Sequence, residues 1–125
     1  MTTATLHVDI IETSDEKPVT LTKQSAAKAW ARFDTSTTTV LNGGFNASTL
    51  TDLGTGNTRI NLTNSMASTN YAVLGLSQYQ NNVGQTIMEG PSDIATGSYE
   101  VYTKTNTNVV FDADFNSTAI FGDLA

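Results

Sequence analysis

Two carboxylates stand two residues apart in the phrase FDADF, at Asp112 and Asp114. On a strand that spacing puts both on one face. Such a pair serves acid–base chemistry or offers oxygens to Ca2+. The competing expectation is a solvent-facing polar edge opposite Phe111 and Phe115, and it is the one we favour. A second candidate lies at 50–75, LTDLGTGNTRINLTNSMASTNYAVLG, which holds Gly54-Thr55-Gly56. A phosphate-cradling loop needs a helix N-terminus after its glycines, and a Walker loop also needs Gly-Lys-Ser/Thr. Here Gly56 is followed by Asn57-Thr58-Arg59. Asp52, beside the glycines, lacks the repeated Asp/Asn ladder of an EF-hand. His7 is the only histidine, and no nucleophile and acid accompany it in a recognisable triad. We therefore assign no catalytic residue, no metal ligand and no cofactor.

The elements around these residues read as strands. Ile60 and Leu62 alternate with Arg59, Asn61 and Thr63, the pattern of a half-buried strand. Thr49-Leu50-Thr51 leads up to Asp52, so the glycines fall at the tip of a hairpin. Earlier, Ala29, Ala31 and Phe33 alternate with Trp30 and Arg32, although Ala26, Ala27 and Ala29 are also compatible with a helix turn. The β-branched run 35–39 continues into Val40-Leu41, and Asn42-Gly43-Gly44 should break the pattern. Further strands are expected where Ala72, Leu74 and Leu76 alternate with Tyr71, Val73 and Gly75. Others are expected at Thr86-Ile87-Met88, around Tyr99 and Val101, and at Thr118-Ala119-Ile120-Phe121. In 109–115, Val109, Phe111, Ala113 and Phe115 should share one face, and Val110, Asp112 and Asp114 the other. Strands at this spacing point to an all-β sandwich or barrel.

Composition agrees. The chain has 125 residues, which sets one domain as the default. Cysteine is absent, so disulfides, zinc-thiolate sites and a cysteine nucleophile are excluded. Net charge is −6, and the six Lys and Arg are scattered. Without a basic stripe, direct nucleic-acid binding is not expected. Charged residues make up only 14% of the chain, and threonine is the commonest type. Thr favours strands, and Asn, Ser and Gly favour turns. No apolar run approaches membrane-spanning length, and MTTATLHVDI lacks the basic and apolar regions of a secretion signal. Membrane insertion is not expected, and synthesis in a cytoplasm is. The sequons at Asn46, Asn61 and Asn116 then read as chance in a chain so rich in Asn and Thr.

The remaining candidates concern contact rather than chemistry. Residues 1–17 read as an arm for docking or assembly, with Leu6, Val8, Ile10 and Ile11 as its apolar part, and 18–125 as the sandwich domain. Trp30 lies on the face opposite Ala29, Ala31 and Phe33. An outward Trp in a small chain points to burial between subunits, so Trp30 and Arg32 are the candidate subunit-interface residues. Tyr102 alternates with Tyr99 and Val101 and should face outward. Tyr79 sits in the polar stretch SQYQNNVGQ. Both are candidate receptor or partner contacts.

Several phrases together resemble the C-terminal domain of bacteriophage tail-fibre proteins. They are AKAWARFD at 27–34, Phe45-Asn46 with Ser48, LTDLGTGNTRINLTNSMASTNYAV at 50–73, and AIFGDL at 119–124. The likeness spans about residues 19–125, and it rests on the order and spacing of the phrases rather than on any one. It implies an antiparallel, jelly-roll-like β-sandwich, homotrimeric assembly, location in the virion and no enzymatic activity. The partners it implies are the chain itself, another virion protein of the tail or capsid, and host surface glycan. Only a short arm precedes the module, so a capsid decoration, head-fibre or tail adaptor protein anchored by that arm is the alternative to a short tail fibre.

Overall fold

A computed structural model of the chain describes residues 26–78 and 93–125, and the backbone of one further strand at 86–89. The candidate docking arm at 1–17, with His7, and Tyr79 lie outside the described residues. Nine strands are described: β1 Ala29–Asp34, β2 Val40–Phe45, β3 Ala47–Gly54, β4 Asn57–Leu62, β5 Ala72–Gln78, β6 Thr86–Glu89, β7 Ile94–Ala95, β8 Ser98–Thr105 and β9 Phe115–Phe121. They form two antiparallel sheets packed face to face. Sheet A runs β2-β1-β9-β5, and sheet B runs β3-β4-β8-β6 with β7 paired to β8. The late strand β9 inserts between β1 and β5, and β8 inserts between β4 and β6. This gives the jelly-roll-like crossing of an all-β sandwich.

Alternation decides which side of each strand is buried. In sheet A, Ala29, Ala31 and Phe33 of β1 face inward with Ile120 of β9. In sheet B, Ile60 of β4 and Tyr99 and Val101 of β8 meet them. Met66 and Tyr71, from the β4–β5 connection, close the same core. Tyr71 packs edge-on against Tyr99 with ring centroids 6.5 Å apart. Two polar bridges cross between the sheets. The Tyr99 hydroxyl and Thr118 Oγ1 are 2.8 Å apart. Asn116, fully buried, donates from Nδ2 to the Ala113 carbonyl at 3.1 Å and accepts from Thr103 Oγ1 at 3.4 Å. Buried polar atoms must be paired in this way or they cost stability.

The expected hairpin at Gly54-Thr55-Gly56 is present between β3 and β4. Gly56 has φ of 67°, and a Cβ there would fall 2.7 Å from the Thr103 carbonyl oxygen. Only glycine fits.

Three local expectations are corrected. Residues 35–39 are not strand but the turn of the β1–β2 hairpin. Asp34 Oδ1 takes the Ser36 amide at 2.8 Å, an Asx-type turn that outcompetes the β propensity of the threonines. Asn42-Gly43-Gly44 does not break a strand but forms the middle of β2. A Cβ at Gly44 would come within 2.9 Å of the Trp30 carbonyl, so glycine is what lets β2 approach β1. The segment 109–114 is not a strand either. Phe111 N–H bonds the Thr103 carbonyl, Ala113 O accepts from Thr35 N–H, and the Gly56 amide donates to Asp112 Oδ1 at 2.7 Å. Bonds to three separate elements replace a single ladder. Ala113 is buried while Val109 stays largely in water, so the residues expected on one face do not share it.

Candidate interaction surface

The outward sides of the two sheets differ in chemistry. In sheet B, the described side chains of β3, β4 and β8 turn a polar, internally bonded face outward. Asn61 Nδ2 donates to Thr49 Oγ1 and Thr51 Oγ1, each at 3.1 Å. Arg59 Nε donates to Glu100 Oε1 at 3.0 Å. Asn57 Nδ2 donates to the Tyr102 hydroxyl at 3.1 Å, and the Lys104 ammonium lies 5.7 Å from the Tyr102 ring centre. These cross-strand pairs occupy much of the hydrogen-bonding capacity of the face.

Sheet A does the opposite. Its register places Phe45, Trp30, Ala119 and Leu74 side by side in one row across all four strands. The next row holds Gly43, Arg32, Ser117 and Leu76. Trp30 is 45% exposed, Phe45 48%, Leu74 56% and Leu76 61%. Val40 extends the patch beyond Gly43. Four strands about 4.8 Å apart and six residues long at about 3.3 Å each make a face of roughly 400 Å². That area is the whole sheet face, Arg32 and Ser117 included; adjoining exposed apolar residues such as these mark an interaction surface, unlike single exposed leucines.

Local structure shapes this face. The six-membered edge of the Trp30 indole lies over Gly43, with two ring carbons 3.7 Å from where a Cβ would stand, an ordinary contact distance. Arg32 crosses Phe115 with its guanidinium 4.7 Å from the ring centre. This cation–π contact seats the charge over an aromatic ring. On the β5 side, Leu74, Gly75, Leu76, Ser117, Thr118 and Ala119 line a shallow concavity of about 310 Å³.

The sequence candidates separate accordingly. Trp30 and Arg32 lie together on the outward face of sheet A. Tyr102 lies on the outward face of sheet B, half-buried and bonded, so the structure does not bring it to Trp30. Phe45, Leu74 and Leu76 were not picked out by the sequence reading. The signal for Leu74 and Leu76 was present in YAVLGLS, where both alternating sets are apolar: Tyr71 and Val73 on one side, Leu74 and Leu76 on the other. A strand that is apolar on both faces must be covered on both.

Asp112 and Asp114 flank a different concavity, of about 480 Å³, at one end of the sandwich. Ser36, Thr37, Thr55, Val110 and Phe111 complete its lining. Asp112 uses Oδ1 to hold the Gly56 amide, a structural task. Among the described residues, no group of three or more His, Asp or Glu side chains is placed to hold a metal ion. Of the sequon asparagines, Asn116 is fully buried, and Asn46 bonds the Lys28 and Asn64 carbonyls through Nδ2.

Burial also sets the two core tyrosines apart. Loss of solvation pushes the Tyr99 hydroxyl up to about 12, against a smaller opposing effect from its bond with Thr118. Burial likewise pushes Tyr71 up to about 12, helped by the nearby Tyr99 and Asp93. Tyr71 Oη lies 2.7 Å from the Ala95 carbonyl and 2.9 Å from that of Ser98. Both rings are parts of the core and not a reactive site.

Comparison with known proteins adds no relative: no family model, no curated protein and no solved structure matches the chain.

Proposed function

We propose that the protein is a non-enzymatic structural component of a bacteriophage virion, a short tail-fibre or fibre-like module that works as a homotrimer. The observation that carries the assembly part is the contrast between the two sheet faces. The described outward side chains of β3, β4 and β8 bond one another, whereas sheet A presents Trp30, Phe45, Leu74 and Leu76 in adjoining rows. Burying half-exposed side chains of this size contributes about 1 kcal/mol each. An assembly that covers the outward face of sheet A therefore gains several kcal/mol that the lone subunit forgoes. Threefold closure and the virion location come from the likeness to tail-fibre domains in 27–73 and 119–124. The loop end of the sandwich, with its hydroxyls and carboxylates, is the surface left to meet host glycans.

The test is the mass of the full chain in solution, by light scattering after size exclusion. A trimer is expected. The double variant Trp30→Ser/Leu76→Ser should shift it toward monomer while the far-ultraviolet spectrum stays that of a β protein. A native chain that remains monomeric at all accessible concentrations would remove this reading.

A further inference from the structure

At one end of the sandwich, three separate segments wall the concavity of about 480 Å³. The β1–β2 turn gives Ser36, the β3–β4 turn gives Thr55, and the irregular segment after β8 gives Val110, Phe111, Asp112 and Asp114. The walls are braced against one another. The Thr35 amide donates to the Ala113 carbonyl at 2.9 Å, and the Ala113 amide donates back to Thr35 Oγ1 at 2.9 Å. The Gly56 amide holds Asp112 Oδ1 at 2.7 Å, and the Gly56 carbonyl accepts from the Thr103 amide at 2.7 Å. The Phe111 amide reaches the Thr103 carbonyl at 3.2 Å. Asp34 Oδ1 takes both the amide and the hydroxyl of Ser36. A site whose walls are already tied together loses little freedom when a ligand enters. Its volume lies within the range of small-ligand sites, roughly 300–1,000 Å³.

The geometry points to a binding site for a neutral or amino sugar, one that rejects acidic sugars. This deepens the proposed contact with host glycans, and rests on that reading for the source of the sugar alone. The lining sets the chemistry of the ligand. Carboxylates accept hydrogen bonds and cannot donate them. The Ser36 hydroxyl already donates to Asp34 Oδ1 at 2.7 Å, so toward a ligand it acts as an acceptor. The hydroxyls of Thr37 and Thr55 can donate, and no Lys, Arg or His stands among the lining residues. A ligand that fits must therefore bring donors and no negative charge. Sugar hydroxyls meet that need, since each rotates to donate or accept as its partner requires. An ammonium group in place of one hydroxyl brings several donors and the opposite charge. A uronic or sialic carboxylate instead meets the like charges of Asp112 and Asp114. A peptide backbone fits less well, because it brings a carbonyl acceptor with every amide donor. Val110, 40% exposed, and Phe111 supply the apolar surface on which the C–H face of a sugar ring packs.

The test titrates the isotope-labelled full-length chain, at fixed pH, with glucose, galactose, glucosamine, glucuronic acid and galacturonic acid, and reads backbone amide shifts by NMR. One ring in an open site binds at about 1 mM, so each titration runs to ~20 mM. Glucosamine or a neutral sugar should move the amides of 36–37, 55–56 and 110–114 saturably. The uronic acids should bind at least about tenfold more weakly. Asp114→Asn should weaken glucosamine binding about fivefold and narrow the gap to the uronic acids. Thr55 is exposed at its hairpin tip, so Thr55→Arg should leave the fold intact, place a cation in the concavity and abolish binding of glucosamine. Amide spectra unchanged away from the loop end show that both variants are folded. Silence from every sugar overturns the proposal. So do shifts centred on Trp30 and Leu74, binding indifferent to both variants, or uronic acids that bind as tightly as the rest. Light scattering on the same samples keeps the two readings apart. Trimers that show no sugar shifts overturn the site and leave the assembly standing. Monomers that bind sugar at 36–37, 55–56 and 110–114 support the site and remove the trimer.

Discussion

Among the described residues, Tyr99 is the largest side chain fully withdrawn from water, and its hydroxyl is tied to Thr118 on the opposite sheet. That places a titrating group inside the core. Its folded pKa of about 12 stands above the ordinary value of 10.0, and Tyr71 is raised alike. Between those two values the folded chain holds protons that the unfolded chain has released. Stability must then fall as pH rises. The contribution is whole below about pH 10 and is lost as pH climbs through about 12. Urea midpoints measured across that window should decline steeply, and Tyr99→Phe should flatten the decline. At neutral pH the same variant keeps the ring but loses one hydrogen bond, so a loss of about 1 kcal/mol is expected. A decline of unchanged slope in Tyr99→Phe would mean that other groups drive alkaline unfolding. Gly56 sets a second residue-scale test. A methyl there meets the Thr103 carbonyl at 2.7 Å and the Phe111 amide nitrogen at 3.0 Å, backbone atoms on two sides. Gly54, in the same turn, has nothing within 4 Å of its would-be Cβ. Gly56→Ala should therefore cost about 2 kcal/mol or more, and should exceed the cost of Gly54→Ala in denaturant titration. Equal costs would show that the positive φ, not the crowding, governs both positions.

At the scale of elements, the two sheets should respond differently to change on their outward sides. Glu100 is mostly buried and holds Arg59 across the β4–β8 ladder. Glu100→Gln should lower subunit stability by about 1 kcal/mol and leave the solution mass unchanged. A drop in mass would place sheet B in the assembly contact after all. This division was only half legible in the sequence. The alternation of Ala29, Ala31 and Phe33 against Trp30 and Arg32 gave β1 and its outward face. Tyr99 and Val101 gave the inner face of β8, and Gly54-Thr55-Gly56 gave the β3–β4 hairpin. What alternation does not carry is the pull of single hydrogen bonds on irregular backbone. Asp34 captures the Ser36 amide and turns a threonine run into a hairpin end. Asp112 captures the Gly56 amide and helps draw 109–114 out of any sheet. The pair Asp112 and Asp114 looked like one face of a strand only because no sequence rule foretells a partner 56 positions away. Gly43 and Gly44 misled for another reason. Glycine usually marks a break, but here a Cβ at Gly44 would meet the Trp30 carbonyl at 2.9 Å, so glycine lets the two strands approach closely. Leu74 and Leu76 escaped notice because a strand apolar on both sides does not say which side meets its own core.

For the whole molecule, the balance of forces in assembly can be argued from charge and face together. Each chain carries a net charge of −6, so bringing copies together raises like-charge repulsion. The face proposed to meet neighbours is mainly apolar, and of its charges Arg32 is already engaged with Phe115. Ion pairs between copies are thus not the main attraction. Salt at about 0.5 M shortens the screening length well below the dimensions of the subunit. It should weaken the repulsion and leave the apolar gain nearly intact. The proposed trimer should therefore hold, or tighten, between about 0.05 and 0.5 M NaCl. Association should also carry a negative heat-capacity change, the mark of apolar burial. Sedimentation equilibrium at several salt concentrations reads the first, and dilution calorimetry at several temperatures reads the second. Dissociation on adding salt would mean that charges hold the copies together. Since sheet A offers few charges and sheet B many, that result would move the interface to Arg59, Glu100 and Lys104 and leave the apolar face for a partner of another kind.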